Sequence, residues 1–161
     1  FHGIIVSKGS SVIAMATRTF WSASVNYDSS SFVAEKELIE ALEKRSSTVM
    51  CTESRRLFVQ GGKPAGLYIL RKGSASLTMD SPTGGSLMSL TLHPGSLLGL
   101  PALIGNEPYT MTANAEMGAE FGFVTREDFN SLMLTDPSLA VRVLRVLAAE
   151  VRTARHAISE F

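Results

Sequence analysis

The chain has a single cysteine, Cys51, among its 161 residues. One cysteine excludes an internal disulfide and any zinc or iron–sulfur site that needs several thiolates. No basic residue stands directly beside Cys51 in the sequence, and cysteine is among the residue types most often buried. We therefore expect an inert, packed thiol. This cysteine usage is typical of a reducing compartment, and we predict a cytoplasmic protein.

Long apolar runs are missing from residues 1–24. The longest, GIIV and VIAMA, are shorter than the core of about 7–15 residues in a secretory signal and far below the roughly 20 residues that span a bilayer. We therefore predict no membrane anchor. The serine-rich stretch SASVNYDSSS, residues 22–31, predicts a flexible lead-in, so residues 1–31 are assigned to a leader before the folded unit.

The chain also lacks a surplus of charge of either sign. Fifteen basic residues balance fifteen acidic ones, so no long-range field draws in nucleic acid or an anionic membrane. The charged share of 19% lies below the roughly 25% typical of soluble domains. A contact surface covered by a partner would explain this low share.

Histidines are few and do not cluster. His2, His93 and His156 are far apart in the sequence, so none of them forms a pair at metal-ligand spacing. We expect His93, which precedes a Pro-Gly turn, to lie on the surface. No nucleophile, base and orienting group occur at a spacing typical of a catalytic set. We therefore predict no metal site, no catalytic residue and no enzyme activity.

What is present fits one domain of about this length. We place its sensor part at residues 32–135 and a C-terminal helix at residues 136–161. Residues 32–45 have the apolar spacing of an amphipathic helix, and their inward face is predicted to carry Leu38, Ile39 and Leu42.

Short segments of alternating character, separated by glycine and proline, fill residues 47–124. Alternation with a period of two predicts half-buried strands, and many short strands predict a barrel or a sandwich. The residues predicted to face inward are Ala75, Leu77, Met79, Met88, Leu90, Leu92, Met111, Ala113, Phe121 and Phe123.

Two helices are predicted after the strands. Thr125 and Asp128 have the spacing of a capping box, which starts a short helix that ends near Leu134. Asp136 then caps the last helix, with Pro137 at its first position, where a missing N–H costs nothing.

The last helix carries two apolar stripes. One stripe has the a/d spacing of a heptad repeat and predicts a homodimer interface of Ala140, Leu144, Leu147, Val151, Ala154 and Ile158. The other, of Leu139, Val143 and Val146, stops at Glu150, about where we expect the helix to leave its own barrel. Two apolar faces need two partners. The alternative is one wide face packed on the domain.

Three segments carry a family resemblance: QGGKPAGLYILRKGSASL, HPGSLLGL and the closing order of strand, helix and helix. Together they resemble the cyclic-nucleotide-binding domain of the catabolite-activator, or Crp/Fnr, family over roughly residues 33–159. The matching positions are Gly61, Gly66, Leu67, Tyr68, Ile69, Gly73, Pro94, Gly95 and Gly99. The resemblance implies a mainly β fold with flanking helices: a β-roll of jelly-roll type, one helix before it, and two after it, the second a long dimerisation helix.

The resemblance also implies a ligand site in residues 94–115, built from a turn, a short helix and the start of the next strand. In the family a glutamate just after the equivalent of Gly99 binds the ribose, and an arginine further on pairs with the cyclic phosphate. Here those positions hold Leu100 and Tyr109, while Thr110 is retained. A buried phosphate without a partner costs several kcal/mol. We therefore expect no cyclic nucleotide in the usual mode and no other resident cofactor.

The candidate site residues are Leu98, Gly99, Leu100, Pro101, Ala102, Leu103, Tyr109, Thr110 and Arg155. Most of this lining suits an apolar or weakly polar small molecule, or a closed site in which Leu100 fills the space of the sugar. The backbone N–H groups at the start of the short helix, which begins at Leu100 and Pro101, leave a weak anion site open. On the last helix the family commonly offers a hydroxyl to a purine across the dimer, and Arg155 beside Ala154 takes that position here.

These observations favour a non-catalytic regulatory module that binds a small effector or a protein partner. One alternative is the effector-sensing half of a transcription regulator whose helix-turn-helix lies outside this chain, which alone would then bind no DNA. Another is a cyclic nucleotide binder with non-standard contacts. A jelly-roll enzyme of the cupin kind is a third alternative, although such enzymes usually need clustered histidines.

Overall fold

The computed structural model describes residues 25–28 and 33–159, and the side chains of residues 33–152. Its strands are β1 Val25–Asp28, β2 Ser47–Met50, β3 Arg55–Phe58, β4 Gly66–Lys72, β5 Ala75–Asp80, β6 Ser86–Leu92, β7 Leu97–Leu98, β8 Thr112–Ala115 and β9 Glu120–Thr125. Its helices are α1 Lys36–Glu43, α2 Leu100–Gly105, α3 Arg126–Thr135 and α4 Pro137–Ser159.

The strands form two sheets. One has the order β1-β6-β5-β8-β3 and the other the order β2-β9-β4-β7. All the strand pairings among β2 to β9 are antiparallel. In contrast, β1 pairs with β6 in parallel. A first apolar core takes side chains from both sheets, including Leu70, Phe121 and Leu90. The predicted mainly β fold with flanking helices is therefore correct.

The inward-facing residues that the alternation predicts on β5 and β6 are buried in the first core. Ala75, Leu77 and Met79 on β5 are buried, as are the three predicted positions of β6. Phe123 on β9 differs from the prediction, because it is only partly buried and packs beside Tyr68 with ring centroids 4.9 Å apart. Its neighbour Val124 is fully buried on the other face of the sheet. That face is covered by helices, so both faces of β9 contact apolar groups.

A second apolar core joins the outer face of the four-stranded sheet to the helices. Leu67 and Ile69 of β4 and Val124 of β9 contact this core from the sheet side. Leu38 and Leu42 supply the face of α1, as the sequence predicts, and Ile39 packs beside them. The molecule is thus layered as sheet, sheet and helices, which brings α4 close to the roll.

Helix α1 begins at Lys36 rather than at the predicted residue 32. Val33 forms an antiparallel bridge to Ser96, and the Ala34 N–H donates to the Gly95 carbonyl at 3.0 Å. These pairings hold the chain extended just before the helix. The predicted start at Phe32 lies outside the described residues.

The predicted flexible lead-in does not hold for Val25–Asp28. These residues form β1, whose partners on β6 run from Met88 to Thr91. β6 would otherwise be the edge of its sheet, and its unpaired backbone groups accept an added strand. The rest of the predicted leader, residues 1–24 and 29–31, lies outside the described residues.

The two C-terminal helices begin where the sequence predicts. The Thr125 hydroxyl accepts from the Asp128 N–H at 3.1 Å, which caps α3. The Asp136 carboxylate accepts from the Ser138 N–H at 3.2 Å at the start of α4. The first cap marks the change from β9 to α3, and the second marks the change from α3 to α4.

The two stripes of α4 meet different surroundings. Leu139, Val143 and Val146 are buried in the second core, whereas Leu144 on the heptad stripe is 62% exposed. The inward stripe does not end at Glu150, as the sequence suggested, because Glu150 is itself buried. The side chains of Ala154 and Ile158 lie outside the described set.

Within the described ranges, no helix combines the length and the hydrophobicity needed to cross a membrane.

Candidate functional site

A small cavity lies between the roll, the short helix α2 and the long helix α4. It measures about 30 Å³, which leaves room for about two water molecules. The described residues that line it are Phe58, Leu77, Leu97, Gly99, Pro101, Ala102, Tyr109, Thr110, Met111 and Glu150. The cavity therefore lies at the ligand segment that the sequence predicts, and it is small.

Tyr109 fills much of the space at this position. Its ring stacks on Phe58 with centroids 3.9 Å apart and an interplanar angle of 13°. Its hydroxyl accepts from the Ala65 N–H and donates to the Gly66 carbonyl, each at 3.4 Å. Burial raises the pKa of this hydroxyl above its usual value. Tyr109 thus closes the site with an aromatic ring and a neutral hydroxyl.

Gly99 allows this close packing. Its φ of +94° lies in the left-handed region, which residues with a Cβ rarely adopt. A Cβ there would also come within 3.2 Å of the Tyr109 ring. The glycine that turns the chain into α2 therefore also leaves space for the tyrosine.

The structure separates the predicted site residues into three groups. Gly99, Pro101, Ala102, Tyr109 and Thr110 border the cavity. The three predicted leucines are buried in the cores and do not border it: Leu98 in the first core, Leu100 and Leu103 in the second. The side chain of Arg155 lies outside the described set. The assignment of these residues to a ligand stays a prediction.

The sequence reasoning did not identify Phe58, Leu77, Leu97, Met111 and Glu150 as lining. The first four look in sequence like any other strand or turn hydrophobe, so no local signal marks them. Glu150 did have a signal: it follows Val146 by four residues and so continues the stripe that packs on the roll.

Glu150 is the unusual group of the site. It is 4% exposed, and its Oε2 atom has no hydrogen-bond partner among the described residues. Burial raises the pKa of its carboxyl to about 8, because an ionised carboxylate is disfavoured where water is excluded. At neutral pH this side chain is therefore mostly protonated.

No lysine or arginine is found among the described residues that line the cavity. Arg126 lies close enough to Tyr109 to influence its pKa, but its guanidinium already donates to the Asn106 side chain and the Pro64 carbonyl. The described lining therefore offers no uncommitted cation to a phosphate.

His93 and Cys51, which the sequence analysis considered as a metal ligand and a reactive thiol, do not line the cavity. His93 is exposed in the turn before Pro94, as predicted. Cys51 is buried, and its backbone pairs with Ala119 and Gly118. Within the described residues, no three His, Cys, Asp or Glu side chains are grouped so as to hold a metal ion.

Comparison with known sequences assigns the middle of the chain to a protein family. Residues 49–136 match the sequence pattern described as the cyclic nucleotide-binding domain. This range runs from β2 to the end of α3 and contains most of the cavity lining. No curated protein matches the chain.

Solved structures share the fold. The catabolite activator protein of Thermus thermophilus is 23% identical, with a TM-score of 0.69 over 78% of this chain and 59% of that protein. The N-terminal domain of a transcriptional regulator from Streptomyces coelicolor is 25% identical, with a TM-score of 0.60 over 79% of this chain and 88% of that domain.

A third similar structure is the global regulator CLP of Xanthomonas campestris, described as responsive to c-di-GMP. It is 18% identical, with a TM-score of 0.64 over 78% of this chain and 62% of that protein. The chain thus spans less than two thirds of two of these three proteins. At such identities the likeness establishes the fold, which is the predicted jelly roll.

Proposed function

Since this chain belongs to the cyclic nucleotide-binding domain family, we propose that it is a non-catalytic regulatory module with a changed ligand preference. Its effector is a small molecule that lacks the phosphate of a cyclic nucleotide. The cavity between the roll and α4 receives it.

The observation that carries this proposal is the position of Tyr109. The resemblance implies an arginine there, whose guanidinium would neutralise the cyclic phosphate. Instead an aromatic ring stacked on Phe58 occupies the place, with its hydroxyl bonded to the backbone of β4 and the residue before it. A phosphate in this cavity would lose its hydration without gaining a cation, which costs several kcal/mol.

The position of α4 suggests how binding is communicated. α4 closes one side of the cavity through Glu150 and is tied to α1 by ion pairs of Arg142 and Arg145 with Glu35. A ligand between the roll and α4 changes the angle of that helix only if it binds the two arrangements with different affinity. Such coupling is reciprocal, so a partner bound to α4 would alter effector affinity equally.

We further propose that the exposed stripe of α4 pairs with a second copy of this chain. Leu144 is 62% exposed, and Ala140, Leu147 and Val151 beside it are only partly buried. An apolar stripe at heptad spacing is stable in water when another helix covers it.

A second candidate function is the effector-sensing half of a transcription regulator. The observation that favours it is the coverage of the similar structures, because the chain spans 59% of the Thermus protein and matches the N-terminal domain of the Streptomyces regulator over 88% of its length. The gene sequence that follows residue 161 tests this candidate, and a helix-turn-helix there would support it.

Calorimetric titration of the purified protein with cyclic AMP and cyclic GMP tests the changed preference. We expect no saturable heat at micromolar ligand, because nothing in the described lining neutralises the phosphate. The variant Tyr109→Arg restores the guanidinium and is expected to gain measurable affinity.

Tyr109→Phe is the matched control, since it keeps the ring on Phe58 and removes only the hydroxyl. It is expected to behave like the natural chain. Micromolar binding of either nucleotide by the natural chain would refute the proposal.

A further inference from the structure

Glu150 is placed toward the cavity by the helix that carries it. Leu139, Val143 and Val146 follow one another at spacings of four and three residues on the inward face of α4, and all three are buried against the roll. Glu150 comes four residues after Val146, so it has the same direction. It is the one acidic residue among the described residues that line the cavity.

The Oε2 atom of Glu150, which is unpartnered among the described residues, requires a hydrogen-bond partner. An ionisable group left without a hydrogen bond in an apolar enclosure is costly, and an apolar side chain at this helix position would avoid that cost. Every other buried residue of the inward stripe is leucine or valine. The carboxyl therefore calls for an explanation beyond packing.

Water alone does not provide a good partner. A buried water makes two to four hydrogen bonds to polar groups, and the rest of the described lining is mostly apolar. Tyr109, which carries the only other titratable group of that lining, already bonds to Ala65 and Gly66. Thr110 is exposed. A ligand that brings its own donor satisfies Oε2 better.

The surroundings of Glu150 indicate the charge of that donor. No lysine or arginine belongs to the described lining, so none of these side chains repels a cationic ligand. The stacked pair of Phe58 and Tyr109 also borders the cavity, and aromatic rings attract cations as well as hydrocarbon.

We propose that Glu150 makes this cavity a site for a small organic cation of the amine or amidine class, whose N–H group donates to Oε2. The hydrocarbon part of the ligand packs on Phe58 and Tyr109. This inference rests on the proposed function, because it names the class of effector that replaces the nucleotide.

Binding of a cation changes the protonation of Glu150. Burial holds the pKa of the free carboxyl at about 8, whereas a bound cation favours the ionised form. At neutral pH the protein therefore releases close to one proton for each ligand bound. A neutral ligand would release none.

The test uses acetamidine and propylamine as probes, because the cavity is small and these are small organic cations. Calorimetry near pH 7 in two buffers of different ionisation enthalpy measures both affinity and proton release. We expect saturable binding of at least one probe with nearly one proton released. The variant Glu150→Gln is expected to lose at least about tenfold in affinity, since a charge-assisted hydrogen bond becomes a neutral one.

Glu107→Gln is the matched control. It makes the same change of side chain, but Glu107 is exposed, in the loop between α2 and Tyr109. It is expected to bind the probes like the natural chain. Circular dichroism and cooperative melting of Glu150→Gln separate a loss of binding from a loss of folding.

Two results would overturn the inference: no saturable binding of any probe, or equal affinity in the natural chain and Glu150→Gln. Native mass spectrometry distinguishes this failure from a failure of the proposed function. A retained neutral molecule whose binding ignores Glu150→Gln overturns the cation while the changed ligand preference stands. Micromolar binding of cyclic AMP or cyclic GMP overturns both.

Discussion

At the scale of single residues, two side chains decide the chemistry of the cavity. Tyr109 holds an aromatic ring, stacked on Phe58, at the position where the family resemblance implies a cation. Glu150 adds an acid whose Oε2 has no hydrogen-bond partner in the described part of the chain. The first change was visible in the sequence through the family resemblance. The spacing of four residues from Val146 puts Glu150 on the inward stripe, but an acid on a helix is solvent-exposed by default, and only the packing of α4 shows that this one is buried.

The buried acid predicts a pH dependence of stability. Its ordinary pKa of 4.5 is raised to about 8 in the folded protein. Between these values the unfolded chain loses the proton while the folded chain keeps it, so the free energy of unfolding falls as pH rises. The contribution is complete below the lower pKa and is lost above the higher one. The slope reaches at most about 1.4 kcal/mol per pH unit.

Urea unfolding at several pH values across this window checks the prediction. The difference between the natural chain and Glu150→Gln is expected to decline steadily with pH. The paired carboxylates Glu35 and Glu43, whose pKa values are lowered, are common to both proteins and cancel. Parallel curves for the two proteins would contradict the raised pKa.

At the scale of elements, hydrogen bonds at the ends of helices and strands set where each one meets the next. Arg71 of β4 donates to Glu43 at the end of α1 and to Glu120 of β9. It also donates to the Thr48 hydroxyl of β2 at 2.8 Å. One side chain thus connects the helix layer with three strands of its sheet. This network is partly exposed, so its contribution is reduced by water.

The cap of α3 gives a testable prediction at this scale. Thr125→Ala removes the acceptor of the Asp128 N–H and is expected to lower the free energy of unfolding by about 1 kcal/mol. Thr135→Ala at the other end of α3 is the control, because its hydroxyl bonds to Ser131 and Leu132 carbonyls without capping an N-terminus. Chemical denaturation of both variants measures the difference. Equal effects would show that the cap has no special role.

At the scale of the whole molecule, three parts of α4 have different environments. Its inward stripe packs on the roll, Glu150 borders the cavity, and its exposed stripe has no described partner within the chain. An effector in the cavity and a second copy on the exposed stripe would therefore act on the same helix. This arrangement is the physical basis for the proposed coupling.

The proposed dimer predicts the effect of one substitution. Leu144→Asp places a charge in the exposed heptad stripe and is expected to convert a dimer to a monomer, because burying an unpaired carboxylate is unfavourable. Light scattering with size-exclusion chromatography measures the mass. Leu134→Asp is the matched control: Leu134 is 83% exposed and lies outside the heptad stripe. Monomeric natural protein would contradict the proposed dimer.

Local patterns in the sequence were enough for most of the fold. Period-two alternation gave the inward faces of β5 and β6, the cap signals at Thr125 and Asp136 placed α3 and α4, and the glycine series identified the family. The start of α1 and strand β1 escaped prediction. Both depend on pairing with distant strands, at Ser96 and along β6, which no local pattern reports.

The site divides in the same way. The sequence alone was enough to predict that residues 94–115 contribute to a cavity wall and that Tyr109 and Leu100 stand where the resemblance implies a cation and an acid, because both predictions depend on residue type and order. Only the tertiary structure decided that Tyr109 borders the cavity while Leu100 packs in the core, and that Glu150 is buried there. Direction and burial depend on contacts between residues far apart in the chain, such as those between α4 and the roll.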